Sequence, residues 1–135
     1  MSYALSAPLQ TAVFERLLAD AAVTDLVGTN IFDALPTGRM PTIYIALGPE
    51  TVRDAGEVAG DGSWHDFTVS VVTETASFKA VKAAAGAVSD ALDHADLTLG
   101  RGRLVGLWFR KARARRAANG ARRIDLTFRA RIDDI

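Results

Sequence analysis

The sequence contains no cysteine, only two histidines and four prolines, and no long apolar run. The lack of cysteine excludes disulfides, thiolate nucleophiles and cysteine-ligated zinc, and it fits folding in a reducing cytoplasm. No segment approaches the ~20 consecutive apolar residues that cross a bilayer, and the N-terminal residues lack the basic and apolar regions of a secretory signal. We therefore expect a soluble protein without a membrane partner.

Recognisable catalytic and metal-binding motifs are also missing. With no cysteine and only His65 and His94 as imidazoles, a nucleophilic triad has no support in the sequence. One cluster of possible metal ligands falls near the end of a predicted helix, where solvation of an exposed helix end explains it without a metal. That cluster comprises Asp90, Asp93, His94 and Asp96. We expect no enzymatic activity, no cofactor and no bound metal.

The composition is that of an ordinary globular domain. The chain has 135 residues, of which 49% are hydrophobic and 24% charged. A chain of this length should bury roughly two-thirds of the surface that its unfolded form exposes, which allows one sizeable core. We expect a single domain that spans residues 1–135.

A net charge of zero hides a strong charge asymmetry along the chain. Residues 97–135 hold eleven of the sixteen Lys and Arg side chains and three acids, whereas residues 1–96 hold five bases and thirteen acids. Complementary potentials of this kind orient partners and penalise wrong registers. The asymmetry indicates a chain that docks onto other surfaces, including copies of itself.

Two segments have the periodicity of amphipathic helices. Apolar residues repeat every three to four positions over 7–21, with Ser6 as a candidate N-cap. A second and clearer repeat runs over 76–93, where many small residues favour close packing against a neighbouring element. We expect each helix to bury one face in the core. A single capped turn at 24–28 follows the first helix and ends at Gly28.

The remaining apolar segments have the character of strands. Short strands are predicted at 30–35, 42–47 and 67–73, and the last two are expected to pair with each other. A strand from Arg103 places Val105, Leu107 and Phe109 on one face and Trp108 on the other. Alternation over 124–132 and the Asn119-Gly120 signal, which is typical of a type I′ turn, complete a long C-terminal hairpin.

These elements predict an α+β fold. The expected sheet is mixed or antiparallel, has about four to five strands and is packed by two helices, with the C-terminal hairpin as its longest part. The basic tip of that hairpin is expected to project past the sheet. Residues 48–62 are expected to form a long, acidic, glycine-rich loop, which inside a compact domain is typical of a functional arm.

The basic hairpin tip and the acidic loop are the candidate functional surfaces. Three interpretations of the tip are open: cations that keep an edge hairpin soluble, a DNA-binding arm at 101–123, and a protein-docking site that meets the acidic 50–66 segment of another copy. Between residues 110 and 124 no aromatic side chain is present to stack on bases. The candidate interface residues are Arg110, Lys111, Arg113, Arg115, Arg116, Arg122, Arg123, Asp54, Glu57 and Asp61.

The order of these elements resembles one known family over almost the whole chain. It is similar to the tail terminator, or tail completion, proteins of long-tailed bacteriophages and related gene transfer agents. The similarity depends on the order of the segments, since none of them is a catalytic signature. The segments are the helix at 9–17, residues 26–33 followed by a proline, 41–45, 64–69, the helix at 76–93, Leu97 with Leu99, and the closing strand at 124–129.

The resemblance implies an α+β structural protein of the virion. Such proteins commonly form a hexameric ring that caps the tail tube, stops its polymerisation and presents a surface for head joining. The implied partners are further copies of the chain, the major tail tube protein and a head–tail connector or stopper protein, with DNA passing through the lumen without sequence-specific binding. The implied location is the head-proximal end of the tail, after assembly in the bacterial host cytoplasm. The alternatives are a small DNA-binding module and another head–tail connector protein.

Overall fold

The computed structural model describes residues 3–56, 61–75, 77–117 and 119–135. After a 3-10 turn at Tyr3–Leu5, the helices are α1 (Ser6–Ala19), α2 (Ala21–Val27) and α3 (Phe78–Leu92). The strands are β1 (Ile31–Phe32), β2 (Ile43–Asp54), β3 (Gly62–Thr73), β4 (Arg103–Arg116) and β5 (Arg122–Asp133). This confirms the α+β class and the five-stranded sheet. No helix in the described part of the chain has the length and apolar character needed to span a bilayer.

The N-terminal segment forms two helices, and the residues that cap them differ from the predicted ones. Leu5 is the N-cap of α1 and makes no side-chain cap hydrogen bond, so the prediction that Ser6 caps this helix is wrong. The Ser6 hydroxyl instead donates to the Glu50 carboxylate on β2. The Asp20 side chain caps α2 by accepting from the Val23 amide at 3.1 Å. Gly28, with φ 62°, ends α2, which is longer than the predicted single turn.

Helix α3 confirms the strongest periodicity in the sequence. The Ser77 hydroxyl caps it by accepting from the Lys79 amide at 3.1 Å. Its buried face packs into the core through Val81, Ala84, Ala85, Val88 and Leu92. Gly86 is one of the small residues of this helix, which were expected to favour close packing. It is nevertheless exposed, and a Cβ atom added there would meet nothing within 4 Å.

We expect Gly86→Ala to stabilise the protein. Alanine has the higher helix propensity by roughly 1 kcal/mol, and the added methyl group meets no neighbour. Thermal unfolding should show a higher Tm with unchanged circular dichroism. Gly102→Ala is the matched control, because Gly102 has φ 81° and its added Cβ would lie 2.7 Å from the Leu5 side chain, so this change should lower Tm. An unchanged or lower Tm for Gly86→Ala would contradict the conclusion that an added methyl group at this position meets no neighbour.

The sheet has the strand order β1-β2-β3-β5-β4. β1 runs parallel to β2, and all other pairs are antiparallel. The predicted pairing of 42–47 with 67–73 is confirmed, but β2 continues to Asp54, so the prediction of a loop from 48 to 62 is wrong for most of its length. A register shift between Leu47 and Glu50 accommodates Gly48 and Pro49, after which the β3 backbone supplies hydrogen-bond partners that the sequence pattern does not reveal.

The C-terminal hairpin is confirmed, but its tip does not project. β5 pairs with β3 from Gly62 opposite Asp133 to Thr73 opposite Arg122, so the hairpin ends level with the sheet. The turn is closed by the Gly120 amide, which donates to the Ala117 carbonyl at 3.0 Å. The type I′ prediction is wrong, because Gly120 has positive φ whereas Asn119 does not.

Two irregularities in β4 change the predicted face pattern. Register shifts between Leu104 and Gly106 and between Phe109 and Lys111 leave Val105 and Arg110 without Cα partners on β5. Val105 is 48% exposed, so its predicted place on the apolar face is wrong, whereas Leu107 is fully buried as expected. A bulge residue is turned out of the alternating pattern, and two-residue periodicity cannot anticipate it.

One face of the sheet carries the core. α1 and α3 cover it, and the inner side chains of β3 and β5 alternate with outward ones, which buries Val69, Val71, Leu126, Phe128 and Ile132. Within the described residues no helix covers the opposite face, where the alternate side chains of β2 to β5 lie. We call this opposite face the open face.

Candidate interaction surfaces

Most of the predicted cations lie at the opposite end of the sheet from Asp54 and Asp61, whereas Arg110 and Lys111 lie midway along β4. Register places the hairpin turn beside Thr73, whereas Asp54 pairs with Ser63 at the other end, next to Asp133. A strand of this length separates the two ends by about 40 Å, at ~3.3 Å per residue. The acidic and basic regions of one chain are therefore too far apart to contact each other, and they are available to different neighbours.

Only some of the predicted acidic residues are available for binding at the acidic end of the sheet. Asp54 makes no side-chain hydrogen bond or ion pair with any residue in the described ranges, and Glu57 lies outside them. The Asp61 carbonyl accepts from the Asp134 amide at 3.0 Å, and Asp61 has a further interaction within the chain. The adjoining acids Asp133 and Asp134 are paired with Arg103 and Arg101, at 3.2 and 2.8 Å.

Two acids of the predicted 50–66 acidic segment have structural roles instead. The Tyr3 hydroxyl donates to the Glu50 carboxylate at 2.6 Å, and together with Ser6 this ties the N-terminal turn to β2. Asp66 accepts from the Arg129 guanidinium at 2.8 Å on the open face. Asp66 is therefore paired within the sheet and is not a free acid of the 50–66 segment.

Three of the seven predicted hairpin cations have partners within the chain. Arg115 and Arg123 both donate to the Asp125 carboxylate, at 3.1 and 2.8 Å, and Ser70 donates to it at 2.6 Å. Burial by itself would raise the pKa of Asp125, but the hydrogen bonds from Ser70, Arg123 and Arg115 outweigh it and hold that pKa below its usual value. Arg122 lies on the helix-covered side, with its guanidinium 5.1 Å from the centre of the Phe78 ring.

The other four hairpin cations are free within the described chain. Arg110, Lys111, Arg113 and Arg116 are exposed, and none makes a side-chain hydrogen bond or ion pair with a described residue. An exposed cation that has no partner in its own chain pays little desolvation penalty when it meets an external carboxylate or phosphate. These four side chains are the part of the predicted site that is free to dock.

The open face holds a cluster that sequence reasoning missed. Trp64 on β3 and Trp108 on β4 lie with their ring centres 6.3 Å apart. Three guanidinium groups lie over the Trp64 ring, those of Arg53, Arg129 and Arg131, at 5.7, 5.7 and 5.2 Å. The cluster thus combines the two tryptophans of the chain with cations from two strands, β2 and β5.

Two glycines within the strands leave space for the side chains of this cluster. Their positions are the feature of the sequence that indicates it. A Cβ atom at Gly106 would lie 2.2 Å from the Trp108 ring, and one at Gly62 would lie 2.4 Å from the Arg131 guanidinium. Glycine inside a strand marks the close approach of another group, so Gly62 and Gly106 pointed to packed side chains on one face. Which groups they accommodate depends on the register of β3, β5 and β4, which the sequence does not give.

In the fold, the charge asymmetry of the sequence becomes a difference in charge between the sheet and the helical layer. Strands β2 to β5 contain eleven bases and five acids, whereas segments 3–42 and 74–100, which carry the helices, contain eight acids and four bases. By register the open face holds eight cations and three carboxylates. These are Arg53, Arg103, Lys111, Arg113, Arg115, Arg123, Arg129 and Arg131 against Asp66, Asp125 and Asp133. The open face is basic and the helical layer is acidic.

A buried polar pair lies on the other side of β3, beneath the helices. Ser63 and His65 are fully buried, and the Ser63 hydroxyl lies 2.8 Å from His65 Nε2. His65 Nδ1 is buried and has no hydrogen-bond partner among the described residues. Burial lowers the pKa of His65, although the charges of Glu50 and Asp66 act in the opposite direction. The ring is therefore mainly neutral at pH 7 and has no access to solvent.

We expect His65 to make the protein less stable in mild acid. Because its pKa is lower in the folded than in the unfolded chain, the unfolded chain binds a proton first once the pH falls below about 6.5, and stability decreases from there. Thermal unfolding between pH 7.5 and 5.5 should show this loss in the wild type and in a His94→Gln control, and a flatter profile in His65→Gln. Equal pH profiles for all three proteins would contradict this assignment.

The aspartate and histidine cluster at the end of α3 is part of the fold. The Asp93 carboxylate accepts from the Phe109 amide at 2.9 Å, and the His94 amide donates to the Leu107 carbonyl at 2.7 Å. These bonds attach the segment after α3 to the outer edge of β4. Over the described ranges, no group of three or more acidic or histidine side chains is arranged to hold a metal ion.

Comparisons with known proteins extend over nearly the whole chain. The family model of tail completion protein gp17 matches residues 11–133. A chain from the solved virion of a native gene transfer agent particle is 55% identical, with a TM-score of 0.92 and coverage of 98% of this chain and 99% of that one. No curated protein matches significantly. Both similarities include the helices, the sheet and the C-terminal hairpin.

Proposed function

Because the chain belongs to the family of tail completion protein gp17, we propose that it is a tail terminator. The chain is a structural protein of a virion or gene transfer agent tail. In this proposal, copies of it form a closed ring, hexameric by analogy with the family, that caps the completed tail tube. The ring stops further polymerisation and presents a surface for head joining. It has no catalytic function.

The observation that supports a ring is the presence of unlike surfaces on one subunit. A closed cyclic ring requires heterologous contacts, in which one surface of each subunit meets a different surface of the next. This chain offers two such pairs: a basic and an acidic end of the sheet, and a basic open face opposite an acidic helical layer. Complementary surfaces of opposite charge favour one direction of association over the reverse.

The free hairpin cations are assigned to subunit–subunit or subunit–tube contacts. Arg110, Lys111, Arg113 and Arg116 carry this role most directly, since each lacks a partner in the described chain. Arg115, Arg122 and Arg123 hold the tip in shape through Asp125 and Phe78. Asp54 and Asp61 are assigned to a contact at the opposite end of the sheet, and Glu57, which lies outside the described residues, stays a predicted interface residue.

The remaining partners follow from the position of such a ring. The major tail tube protein lies on one side, and a head–tail connector or stopper protein lies on the other, at the head-proximal end of the tail. Assembly takes place in the cytoplasm of the bacterial host. DNA crosses the lumen without sequence-specific binding, since strong phosphate binding would oppose transit.

Tail tube assembly in the presence of the purified protein tests this proposal. Tube protein and terminator are mixed at increasing ratios, and tube lengths are measured by electron microscopy. A terminator makes the tubes shorter as its concentration rises and appears as a ring at one end of each tube. Tube lengths that do not change with the ratio, together with duplex DNA binding that falls steeply with salt, would favour the small DNA-binding module instead.

A further inference from the structure

The open face has the composition and shape of a protein-binding surface. Trp64 and Trp108 lie on it toward the Gly62 end of β3, and three arginines lie over the Trp64 ring. Tryptophan and arginine are the residue types that most often carry binding energy at protein interfaces. Both tryptophans are partly exposed, and contacts with Arg53, Arg129 and Arg131 hold the Trp64 ring in place. The cluster is therefore ordered before any partner binds, which reduces the entropy lost on association.

The size of the open face matches a standard interface. Four strands at ~4.8 Å spacing, each about twelve residues long at ~3.3 Å per residue, give a face of roughly 19 by 40 Å, or about 760 Å². Specific interfaces bury ~800 Å² on each partner. One sheet face of this protein is thus large enough to bind one neighbour stably.

Charge indicates which surface the open face accepts. Eight cations and three carboxylates give it a positive potential, and the carboxylates are already paired with arginines, as in Asp66 with Arg129 and Asp125 with Arg123. Cations without a partner in the described chain remain at Lys111 and Arg113. The complementary surface is one with exposed carboxylates in excess over cations.

The same chain carries such a surface on its helical layer. Glu15 on α1, Asp25 on α2 and Asp90 on α3 are exposed, and the segments that carry the helices hold twice as many acids as bases. The helical layer and the open face are opposite sides of one two-layer domain, so one copy can present each to a different neighbour.

We propose that the open face, which includes Trp64 and Trp108, binds the acidic helical layer of a second copy and forms the subunit contact of the ring. This inference rests on the proposed ring and assigns its subunit contact to the two layers. The two ends of the sheet, including the hairpin tip, are then left for the tube and the connector. The contact is heterologous, as a closed ring requires.

Intrinsic fluorescence tests this contact without any substitution, because the chain has two tryptophans and both lie on the open face. The purified protein is followed by mass photometry and by acrylamide quenching, alone and with tail tube protein. The expected result is a shift of emission to shorter wavelength and at least a twofold fall in quenching as rings form. Rings that form with unchanged quenching would overturn this inference and leave the proposed function intact.

A failure of the proposed ring can be distinguished from a failure of the proposed subunit contact. A protein that stays monomeric with and without tube protein contradicts the proposed function and, with it, this inference. Protection of the tryptophans by duplex DNA, with no protection on self-association, would assign the open face to nucleic acid and would also overturn it.

Charge reversal on each layer provides an independent test. Arg53→Glu with Arg113→Glu changes the open face, and Glu15→Arg with Asp90→Arg changes the helical layer. Each variant alone should associate at least tenfold more weakly, whereas an equimolar mixture should form rings, because each reversed surface then meets an opposite charge. Lys79→Glu with Lys82→Glu is the control, since it alters net charge as much as the open-face variant but makes the helical layer more acidic and should preserve association. If the mixture associates no more strongly than the separate variants, the proposed contact is wrong.

Discussion

Replacing Arg110 and Arg116 together by glutamate is expected to leave a folded protein that no longer caps tail tubes. Arg116 is exposed at the hairpin tip and Arg110 is exposed midway along the edge strand β4. Neither has a partner in the described part of the chain, so their removal breaks no internal contact. If they meet carboxylates on the tube, each reversal replaces attraction with repulsion. A combined loss of ~3 kcal/mol lowers affinity more than a hundredfold. Tail tubes made with this variant should be abnormally long, and the yield of complete particles should fall accordingly.

Arg113 and Arg115 are left unchanged in this variant because register places them on the open face. The Lys79→Glu, Lys82→Glu protein is again the control, since it has the same change in net charge on helix α3. Circular dichroism and thermal unfolding establish that each protein is folded. Tubes of normal length with the Arg110, Arg116 variant would show that neither the hairpin tip nor the edge of β4 at Arg110 contacts the tube.

Phe128→Ala should have the largest effect on stability. Phe128 is fully buried in β5, the strand between β3 and β4, with its ring centre 5.6 Å from that of Phe67 and 5.9 Å from that of Phe109. Truncating a buried phenylalanine removes ~3–5 kcal/mol, through lost burial and the cavity left behind. A domain with ~5–15 kcal/mol of total stability would lose a large share of it. Urea unfolding should show a much lower midpoint with a similar slope.

Phe109→Ala is the matched control for that measurement. Phe109 contacts Phe128 from the edge strand β4 but is 37% exposed, so its truncation leaves a smaller cavity that opens to solvent. We expect less than half the loss seen for Phe128→Ala. Equal losses at the two positions would mean that the sheet centre and its edge contribute alike to the core, contrary to the burial observed.

Local patterns in the sequence were sufficient to identify most of the fold. A regular apolar pattern, with a period of 3.6 or 2 residues, marks α3, β5 and the apolar half of β3. The pairing of β2 with β3 was expected because the two strands are neighbours in the sequence. The far half of β2 was missed because Gly48, Pro49 and several acids argue against a strand. Its hydrogen-bond partners come from β3, and such non-local support overrides weak local preference.

The candidate surfaces were predicted only in part. A run of cations is visible in the sequence, but which of them are neutralised depends on contacts such as those of Arg115 and Arg123 with Asp125. The open face was not foreseen, since Trp64 and Trp108 become neighbours only through the order β3-β5-β4. The strand glycines Gly62 and Gly106 signalled close packing there without naming the groups involved.

The measurement that tests the central claim most directly is the mass of the purified protein in solution at two salt concentrations, with and without its tail tube protein. A closed ring predicts one discrete multiple of the 14.4 kDa chain, formed alone or on the tube and weakened by salt where charged surfaces meet. A monomer that ignores the tube protein at both salt concentrations, and binds duplex DNA at low salt, would contradict the assignment as a tail terminator.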